Sequence, residues 1–541
     1  MLFNTYEFLF VFLPVTLAVF LVLQMLSRRL ALGWLIVASL LFYAYWRPIN
    51  VLIILPSILI NFLLARVLLR LGETNSTSNI GNIVLVAGIA FNLTILGYFK
   101  YLNFFQTMLN DVAGTDFVMT YVILPLGISF ITFQIIAFLI DVHGRRIESF
   151  TLRDFCLFVL FFPQLIAGPI VHYREMMPQF QNISRRLDIE GISVGLTLLS
   201  FGLFKKVVLA DGISMHVSPI YTLASDGGNI SLITAWIAAI GFTLQIYFDF
   251  SGYSDMAAGL ARFFGVRLPL NFDSPLKAKS IIDFWARWHV TLTRFLTAYL
   301  FNPMVLWLSR RRMKKRLAGM AGRKPNVEAF FSLLAAPTIF TMFISGLWHG
   351  AGYLFIMWGL LHGLYLTINH AWRLIVPRLW KDKDKYHLFM APIGFFITFV
   401  AVVFAMVIFR GPTPDAAIEM LSGMVGLNGI SLPHNLMEPL GLVSIMEPII
   451  HADGSSAKEF VFASVWVFVL TAIALLLPNS FELTAAYEPV IGYKIRNDHK
   501  SVLYRFLTWR ATIPWALVIS SLAAAAVMQI GGKSEFLYWQ F

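Results

Sequence analysis

His349 is the residue of this 541-residue chain whose type and setting best suit proton-transfer chemistry. It lies in the run Ser345-Gly-Leu-Trp348-His349-Gly-Ala-Gly352, between two long apolar segments. Histidine takes and returns a proton near neutral pH, and glycine lets backbone or a ligand approach closely. Transfer of an acyl group to a hydroxyl needs such a base. The alternative is a structural histidine at a helix junction that hydrogen-bonds to backbone.

A second polar group ends an otherwise apolar run and contains Gln245, Asp249 and Asp255. Gln245 and Asp249 are four residues apart, which places them on one face of a helix. A charged side chain inside a bilayer costs about 3 kcal/mol or more, so these residues are candidates for a functional site. Two interpretations stay open: a polar network that locks a helix bend, and direct substrate binding.

A third polar group is Asp283-Phe-Trp-Ala-Arg287-Trp288-His289. The spacing of Asp283 and Arg287 predicts an ion pair along one helix. His289 is either an interfacial histidine beside a tryptophan belt or a hydrogen-bond donor that positions substrate.

Two further residues of reactive type are given no catalytic role. His362 lies thirteen residues beyond His349, which on an ideal helix is a different face, so local geometry does not pair them. Cys156 is the single cysteine, which excludes an intrachain disulfide and a cysteine-based metal cluster. We interpret it as a packing residue, and no metal site is predicted.

The elements that must position these residues are membrane helices. Hydrophobic residues make up 58% of the chain and charged residues 13%, against about 25% charged in soluble domains. Apolar runs long enough to cross a bilayer recur throughout, as at 8–25 and 391–409. The net charge of +12 fits basic cytoplasmic loops better than nucleic-acid binding. The composition therefore predicts an all-α polytopic membrane protein.

The apolar segments predict roughly eleven transmembrane helices plus re-entrant pieces, without a cleaved leader. They lie near 7–26, 32–46, 50–70, 82–101, 120–141, 153–169, 191–209, 230–250, 254–266, 289–308, 330–347, 352–376, 388–410, 460–477 and 511–530. Breaks at membrane depth are expected at 162–169 and 250–254. The basic run 310–316 predicts a cytoplasmic loop, and 411–458 an extracytoplasmic loop. One membrane domain, 1–541, is the simplest organisation.

Several motifs together carry a family resemblance that spans nearly the whole chain. They are Met1-Leu-Phe-Asn-Thr-Tyr-Glu-Phe-Leu-Phe10, Gly127-Ile-Ser-Phe-Ile-Thr-Phe-Gln134, Phe162-Pro-Gln-Leu-Ile-Ala-Gly-Pro-Ile170, the three polar groups, and Phe536-Leu-Tyr-Trp-Gln-Phe541. In this order they resemble the membrane-bound O-acyltransferase (MBOAT) family. Within it they are similar to the bacterial branch of the alginate O-acetyltransferase membrane subunit (AlgI) and the teichoic acid D-alanyl transfer membrane protein.

The resemblance implies a ring of helices around a central tunnel, in a multi-pass protein of the bacterial inner membrane. It implies that His349 is the catalytic histidine and that His289 is a second polar residue of the same chamber. The candidate substrate-binding residues are Trp348, Asp249, Gln245, Arg287, Trp288 and Asp255.

The resemblance also implies the reactants and partners. No cofactor is expected to bind tightly; the donor substrate would be acetyl-coenzyme A or an acyl-carrier thioester on the cytoplasmic side. The acceptor would be an extracytoplasmic polysaccharide such as alginate, reached through a membrane-anchored, esterase-like (SGNH-type) transferase. Membrane lipid is the other partner, and nucleic acid is not expected.

One departure from the family pattern bears on the donor. After His289, polysaccharide-acetylating relatives continue into an arginine-aspartate-tyrosine pattern and a glycine-rich loop. This chain instead reads Phe295-Leu-Thr-Ala-Tyr299-Leu-Phe-Asn-Pro-Met304 before the basic run. The donor, its carrier and the choice of alginate are therefore open.

Three rival functions also stay open on the sequence. A transporter or flippase uses buried ionisable residues as well, and inverted repeats, which we do not find, would favour it. A non-catalytic scaffold would use the polar groups for packing only. The runner-up is a member of the same family that acylates teichoic acid, peptidoglycan, a protein or a lipid.

Overall fold

The computed structural model describes residues 1–73, 79–118, 122–184, 186–317, 319, 326–438, 450–453, 456–495 and 507–532. These residues form two compact units. The first unit contains Met1–Phe204, Gly252–Asn271 and Ser480–Gly532, and the second contains Lys205–Ser251 and Phe272–Asn479. The terminal motif 536–541 and positions 439–449 and 454–455 of the expected loop 411–458 lie outside the described residues.

The first unit is built from helices, several of which follow one another directly. They are Phe8–Phe12, Leu13–Leu26, Arg28–Ala44, Pro48–Asn50, Val51–Glu73, Ile80–Leu96, Gly97–Tyr101, Leu102–Ala113, Ile128–His143, Leu152–Leu160, Phe162–Leu165, Tyr173–Gln181, Ile189–Leu203, Ser480–Leu483, Ala485–Tyr487 and Ile513–Gln529. One buried apolar cluster joins three distant stretches of sequence, for example Leu198, Ala258 and Trp509. This packing holds the C-terminal segments against the helix that ends near 203.

The break expected at 162–169 is present. Thr151 caps the start of the helix Leu152–Leu160, and the side chains of Thr151 and Asp154 form a capping box. The helix ends at Leu160, and a four-residue helix, Phe162–Leu165, is followed by irregular backbone. The Phe162 N–H donates to Ser39 Oγ at 3.1 Å. A side chain thus satisfies backbone that has left the helix, as an apolar surrounding requires.

The second unit is also helical apart from one short strand pair. Its helices are Asp211–Ser225, Pro275–Lys277, Ile281–Trp285, Val290–Leu296, Thr297–Phe301, Asn302–Lys314, Val327–Phe330, Phe331–Ala335, Ala336–His349, Tyr353–Leu379, Lys383–Arg410, Pro414–Met424, His434–Met437 and Ala457–Leu476. The strands Ile430–Pro433 and Ile450–Asp453 pair in parallel. The all-α prediction therefore misses one local element, which lies outside the long apolar runs.

The break expected at 250–254 is a wrong prediction. A single long helix, Leu232–Phe263, runs through this stretch and passes from the second unit into the first between Ser251 and Gly252. One glycine and two serines do not interrupt this helix, because glycine costs only about 1 kcal/mol in a helix interior and packing overrides so weak a preference. We call this element the long helix.

Eight helices of the described residues are long and apolar enough to cross a membrane. They are Phe8–Leu26, Pro48–Gly72, Ile80–Ala113, Ile189–Ser225, Leu232–Phe263, Val327–His349, Lys383–Arg410 and Ala457–Leu476. Two shorter apolar helices are Ile128–His143 and Ile513–Gln529. The multi-pass prediction is confirmed. The higher expected number arose partly because the two expected segments 230–250 and 254–266 form one continuous helix.

Candidate active site

His349 is the last residue of the helix Ala336–His349, which we call the histidine helix. The backbone becomes extended at Gly350 and Gly352, and the next helix, Tyr353–Leu379, starts at once. We call this second element the return helix. His349 is buried, with 4% of its surface exposed. The sequence thus places a histidine at the end of one buried helix, where the chain reverses.

Glycines bring the histidine helix and the return helix into close contact. A Cβ atom added at Gly346 would lie 3.0 Å from Gly359 Cα, and one added at Gly359 would lie 3.1 Å from Gly346 Cα. A Cβ at Gly363 would lie 2.9 Å from Ile339 Cα. These separations are tighter than ordinary packing allows. The glycines beside His349 therefore serve close backbone approach, as the motif predicted.

The described ring contacts of His349 are aromatic. Its ring centroid lies 5.0 Å from that of Trp348, 5.1 Å from Trp358 and 5.4 Å from Phe409. All three rings meet the imidazole edge-on, a favourable arrangement for aromatic pairs. The imidazole is held in a defined position by rings on its own helix, on the return helix and on Lys383–Arg410.

His289 lies beside this group, as the resemblance implied. Its ring centroid is 6.4 Å from that of His349 and 6.0 Å from Trp348. The ring is fully buried and packs on Phe250 of the long helix at 4.8 Å. We call His289, Trp348, His349 and Trp358 the histidine cluster. Its two imidazoles come from positions sixty residues apart.

The backbone of His289 adopts a left-handed conformation, with φ of 44° and ψ of 51°. Such a conformation is rare for a residue with a side chain and costs about 1–3 kcal/mol unless the surroundings enforce it. Strained residues of this kind concentrate at functional sites. Here the strained turn directs the chain into the helix Val290–Leu296 and leaves the imidazole among buried rings.

The predicted pair of Asp283 and Arg287 is present. Arg287 Nε donates to Asp283 Oδ1 at 2.9 Å, and the Arg287 side chain is 1% exposed. Trp288 packs on Phe272 at 5.1 Å and stacks on Phe284 at 5.5 Å. These contacts support the turn that carries His289. Arg287 and Trp288 therefore brace the site, and their substrate-binding role stays a prediction.

Asp249 has a partner that was not selected from the sequence. Lys206 Nζ lies 2.9 Å from Asp249 Oδ1 and 2.6 Å from Asp211 Oδ1. The three side chains are 2%, 2% and 13% exposed, respectively. We call these residues the lysine cluster. The available signal was the pair Lys205-Lys206 inside an apolar run, followed closely by Asp211.

The other two members of the Gln245–Asp255 run have separate settings. Gln245 is buried in the second unit, one helical turn before Asp249. Asp255 belongs to the first unit, where Ser480 Oγ donates to its Oδ2 at 2.7 Å. The candidate substrate-binding role of both residues stays a prediction. The structure gives Asp255 a bonding role in the C-terminal part of the first unit.

His362 is linked to His349 through Trp358. Trp285 Nε1 donates to His362 Nδ1 at 3.3 Å, and the His362 ring lies 4.8 Å from that of Trp358. The indole of Trp358 in turn packs on His349. The buried ring of Trp358 therefore lies between the rings of His349 and His362.

The histidine cluster offers imidazole nitrogens and indole N–H groups in a buried aromatic setting. Imidazole can act as a general base, and buried N–H groups can donate to an oxygen on which charge develops. Among the described residues no three histidine, cysteine or carboxylate side chains are placed to hold a metal ion. A histidine-dependent group transfer inside a multi-pass membrane protein is the chemistry that this geometry supports.

Comparison with known proteins defines the class. The profile described as MBOAT, membrane-bound O-acyltransferase family, matches residues 93–321, a range that contains His289. A curated relative is 38% identical over 463 residues, covering 80% of this chain and 81% of its own length. The chain belongs to the MBOAT family and is an O-acyltransferase.

The relatives name specific activities. The 38% identical protein is a peptidoglycan O-acetyltransferase of Helicobacter pylori. A probable alginate O-acetylase AlgI of Pseudomonas syringae pv. tomato is 35% identical over the whole of both chains. A teichoic acid D-alanyltransferase of Streptococcus thermophilus is 29% identical and covers 56% of this chain and 70% of its own length. The bacterial branch named by the sequence motifs is therefore confirmed.

Proposed function

We propose that this protein is an O-acetyltransferase of the bacterial inner membrane that moves an acetyl group from a cytoplasmic thioester towards a cell-envelope polysaccharide. His349 acts as the general base in that reaction. The observation that carries this proposal is the buried cluster of His349, His289 and two tryptophans in a member of an O-acyltransferase family. The donor is acetyl-coenzyme A or an acyl-carrier thioester, and no tightly bound cofactor takes part.

The reaction uses His349 to activate a hydroxyl. The imidazole accepts the hydroxyl proton as the oxygen attacks the acyl carbon, and it returns that proton to the leaving thiolate. A positioned base of this type contributes about a hundredfold to ten-thousandfold to the rate. His289 lies close enough to the same space to orient the acyl group or its acceptor. An aromatic, water-poor surrounding keeps the thioester from hydrolysis.

The acceptor is a polysaccharide because two relatives with over 30% identity are named for acetylation of peptidoglycan and alginate. Peptidoglycan is the first polymer to test, since the relative named for it has the higher identity. An extracytoplasmic, esterase-like partner would complete the transfer to the polymer. Teichoic acid, protein and lipid remain secondary acceptors, and family membership weighs against a transporter or a scaffold.

The test is acetyl transfer in membranes that contain the full chain. Radiolabelled acetyl-coenzyme A is supplied, and label is counted separately in peptidoglycan, alginate and lipid fractions. His349→Ala should abolish labelling, whereas His434→Ala, a half-exposed histidine of the same unit, should leave it unchanged at matched membrane abundance. Equal labelling with His349→Ala would exclude His349 as the base. Label confined to alginate would exclude peptidoglycan as the acceptor.

A further inference from the structure

Acyl transfer requires more than a base. When the hydroxyl oxygen bonds to the acyl carbon, the carbonyl electron pair moves onto oxygen, and a positioned N–H or O–H donor must stabilise that charge. Within the histidine cluster the question is which donor is available. The identification of that donor rests on the proposed function, in which His349 accepts the hydroxyl proton.

Trp358 is the largest fully buried side chain of the described residues, with 1% of its surface exposed. Its indole Nε1 is buried and has no hydrogen-bond partner among those residues. A buried donor left without an acceptor costs about 1–3 kcal/mol, so native proteins rarely keep one without a reason. A substrate oxygen that is present only during the reaction would supply the acceptor.

The position of Trp358 suits this role. Its ring meets that of His349 at 5.1 Å between centroids, with the two planes at 85°. A hydroxyl that gives its proton to His349 must lie about 2.6–3.2 Å from an imidazole nitrogen. The acyl carbon under attack is bonded to the same reacting oxygen. A hydroxyl bound on the Trp358 side of the His349 ring would therefore bring the developing oxyanion close to the indole.

Trp358 is also held rigidly. Phe409 packs on it at 5.2 Å, and His362, one turn further along the return helix, packs at 4.8 Å. Trp285 packs on it at 5.8 Å and anchors His362 by its own N–H donation to Nδ1. A donor fixed before the reaction stabilises charge without reorganisation, which makes it effective. His362 and Trp285 thus act as positioning residues for Trp358.

We propose that Trp358 is a catalytic residue whose indole N–H donates to the carbonyl oxygen of the transferred acyl group. The hydroxyl oxygen forms a C–O bond to the acyl carbon, its proton passes to His349, and the carbonyl pair moves to the oxygen that Trp358 stabilises. Return of that pair restores the C=O bond and breaks the C–S bond. The leaving thiolate takes the proton from His349.

The test compares kcat and KM for acetyl-coenzyme A in membranes that contain the full chain. Trp358→Phe keeps an aromatic ring and removes the N–H; kcat should fall about 100–1,000-fold, as for loss of one oxyanion donor. KM should stay within about twofold, because the interaction forms only in the transition state. The matched control is Trp372→Phe on the same helix, whose N–H already donates to Tyr386 Oη at 2.8 Å. It should behave as wild type.

A second variant distinguishes the loss of the N–H group from a change in ring volume. Incorporation of β-(3-benzothienyl)alanine at position 358 replaces the N–H by sulfur in a ring of the same size. It should show the same loss of kcat at normal membrane abundance. Wild-type kcat in this variant, or more than half of it in Trp358→Phe, would overturn the role of Trp358. Full activity in His349→Ala would instead overturn the proposed function, so the two failures are distinguishable.

Discussion

Two buried polar clusters of the second unit differ in the side chains that compose them. The histidine cluster gathers imidazole and indole rings, and the described ring contacts of His349 are all aromatic. The lysine cluster gathers one ammonium and two carboxylates within 2.9 Å. The rings of the histidine cluster can bind and release protons, whereas the lysine cluster is stable only while its charges balance.

Substitutions in the histidine cluster should therefore affect the reaction, whereas substitutions in the lysine cluster should affect the fold. A buried ion pair that loses one partner leaves an uncompensated charge in an apolar surrounding, which strongly destabilises the fold. A buried neutral ring that is replaced by a smaller polar group leaves no such charge. The lysine cluster joins the start of Asp211–Ser225 to the long helix, and the residue after Asp249 is Phe250, which packs on His289. The lysine cluster therefore supports the histidine cluster indirectly, through Phe250.

The largest effect should come from substitution of His349, the proposed general base. His349→Gln should lower acetyl transfer by about a hundredfold to ten-thousandfold, because the general base is lost. The thermal unfolding temperature in detergent should stay close to that of wild type. A large drop in unfolding temperature with this variant would mean that His349 is a structural residue, and would remove the contrast between the clusters.

Loss of Lys206 should damage the fold more than the chemistry. Lys206→Met leaves Asp211 and Asp249 buried without their cation, which costs about 3–5 kcal/mol in comparable buried pairs. Membrane abundance and unfolding temperature should both fall. The triple variant Lys206→Met, Asp211→Asn and Asp249→Asn should recover part of the stability. If the triple variant is no more stable than Lys206→Met, the charge-balance explanation is wrong.

The glycine contact between the histidine helix and the return helix should give an intermediate effect. Gly346→Ala places a Cβ against the backbone of Gly359 and Phe355, and overpacking of this kind costs about 1–3 kcal/mol. Activity should fall as well, because His349 is three residues away. Gly33→Ala is the control, since its added Cβ has no heavy atom within 4 Å apart from its chain neighbours and its own helix backbone. Equal stability of both variants would show that the helices separate easily.

The smallest effect should come from a surface pair of the same unit. At the start of Lys383–Arg410, Lys385 Nζ lies 3.7 Å from Asp382 Oδ2, and the Lys385 side chain is 81% exposed. Lys385→Ala should change the free energy of unfolding by less than about 0.5 kcal/mol, because exposed pairs contribute little. Unfolding in detergent would measure this. A loss of stability as large as that of Lys206→Met would mean that burial does not determine how much each ion pair stabilises the fold.

Local spacing in the sequence predicted a good part of the site. The glycines around His349 predicted close backbone approach, and the four-residue interval from Asp283 to Arg287 predicted their ion pair. Both features depend on residues that are neighbours along one turn or one chain reversal. Sequence spacing reports such contacts directly because helix geometry converts it into distance.

The long helix shows where spacing misled. A glycine between two serines and two aspartates predicted a break at 250–254, yet the helix continues. Tertiary packing decides such cases: a Cβ at Gly202 would collide with the Gly252 carbonyl, so these two backbones lie in close contact. Helix propensity is a weak preference that packing overrides.

By itself, the sequence determined that the chain is a multi-pass helical membrane protein, which glycine-rich motif contains His349, and which family it resembles. The first property follows from composition, the second from residues close in sequence, and the third from the order of the motifs along the chain. Only the tertiary structure decided that Lys206 pairs with Asp249, that Trp358 lies between His349 and His362, and that His289 meets Phe250. In each case the partners come together through packing of separate helices, which no local spacing records.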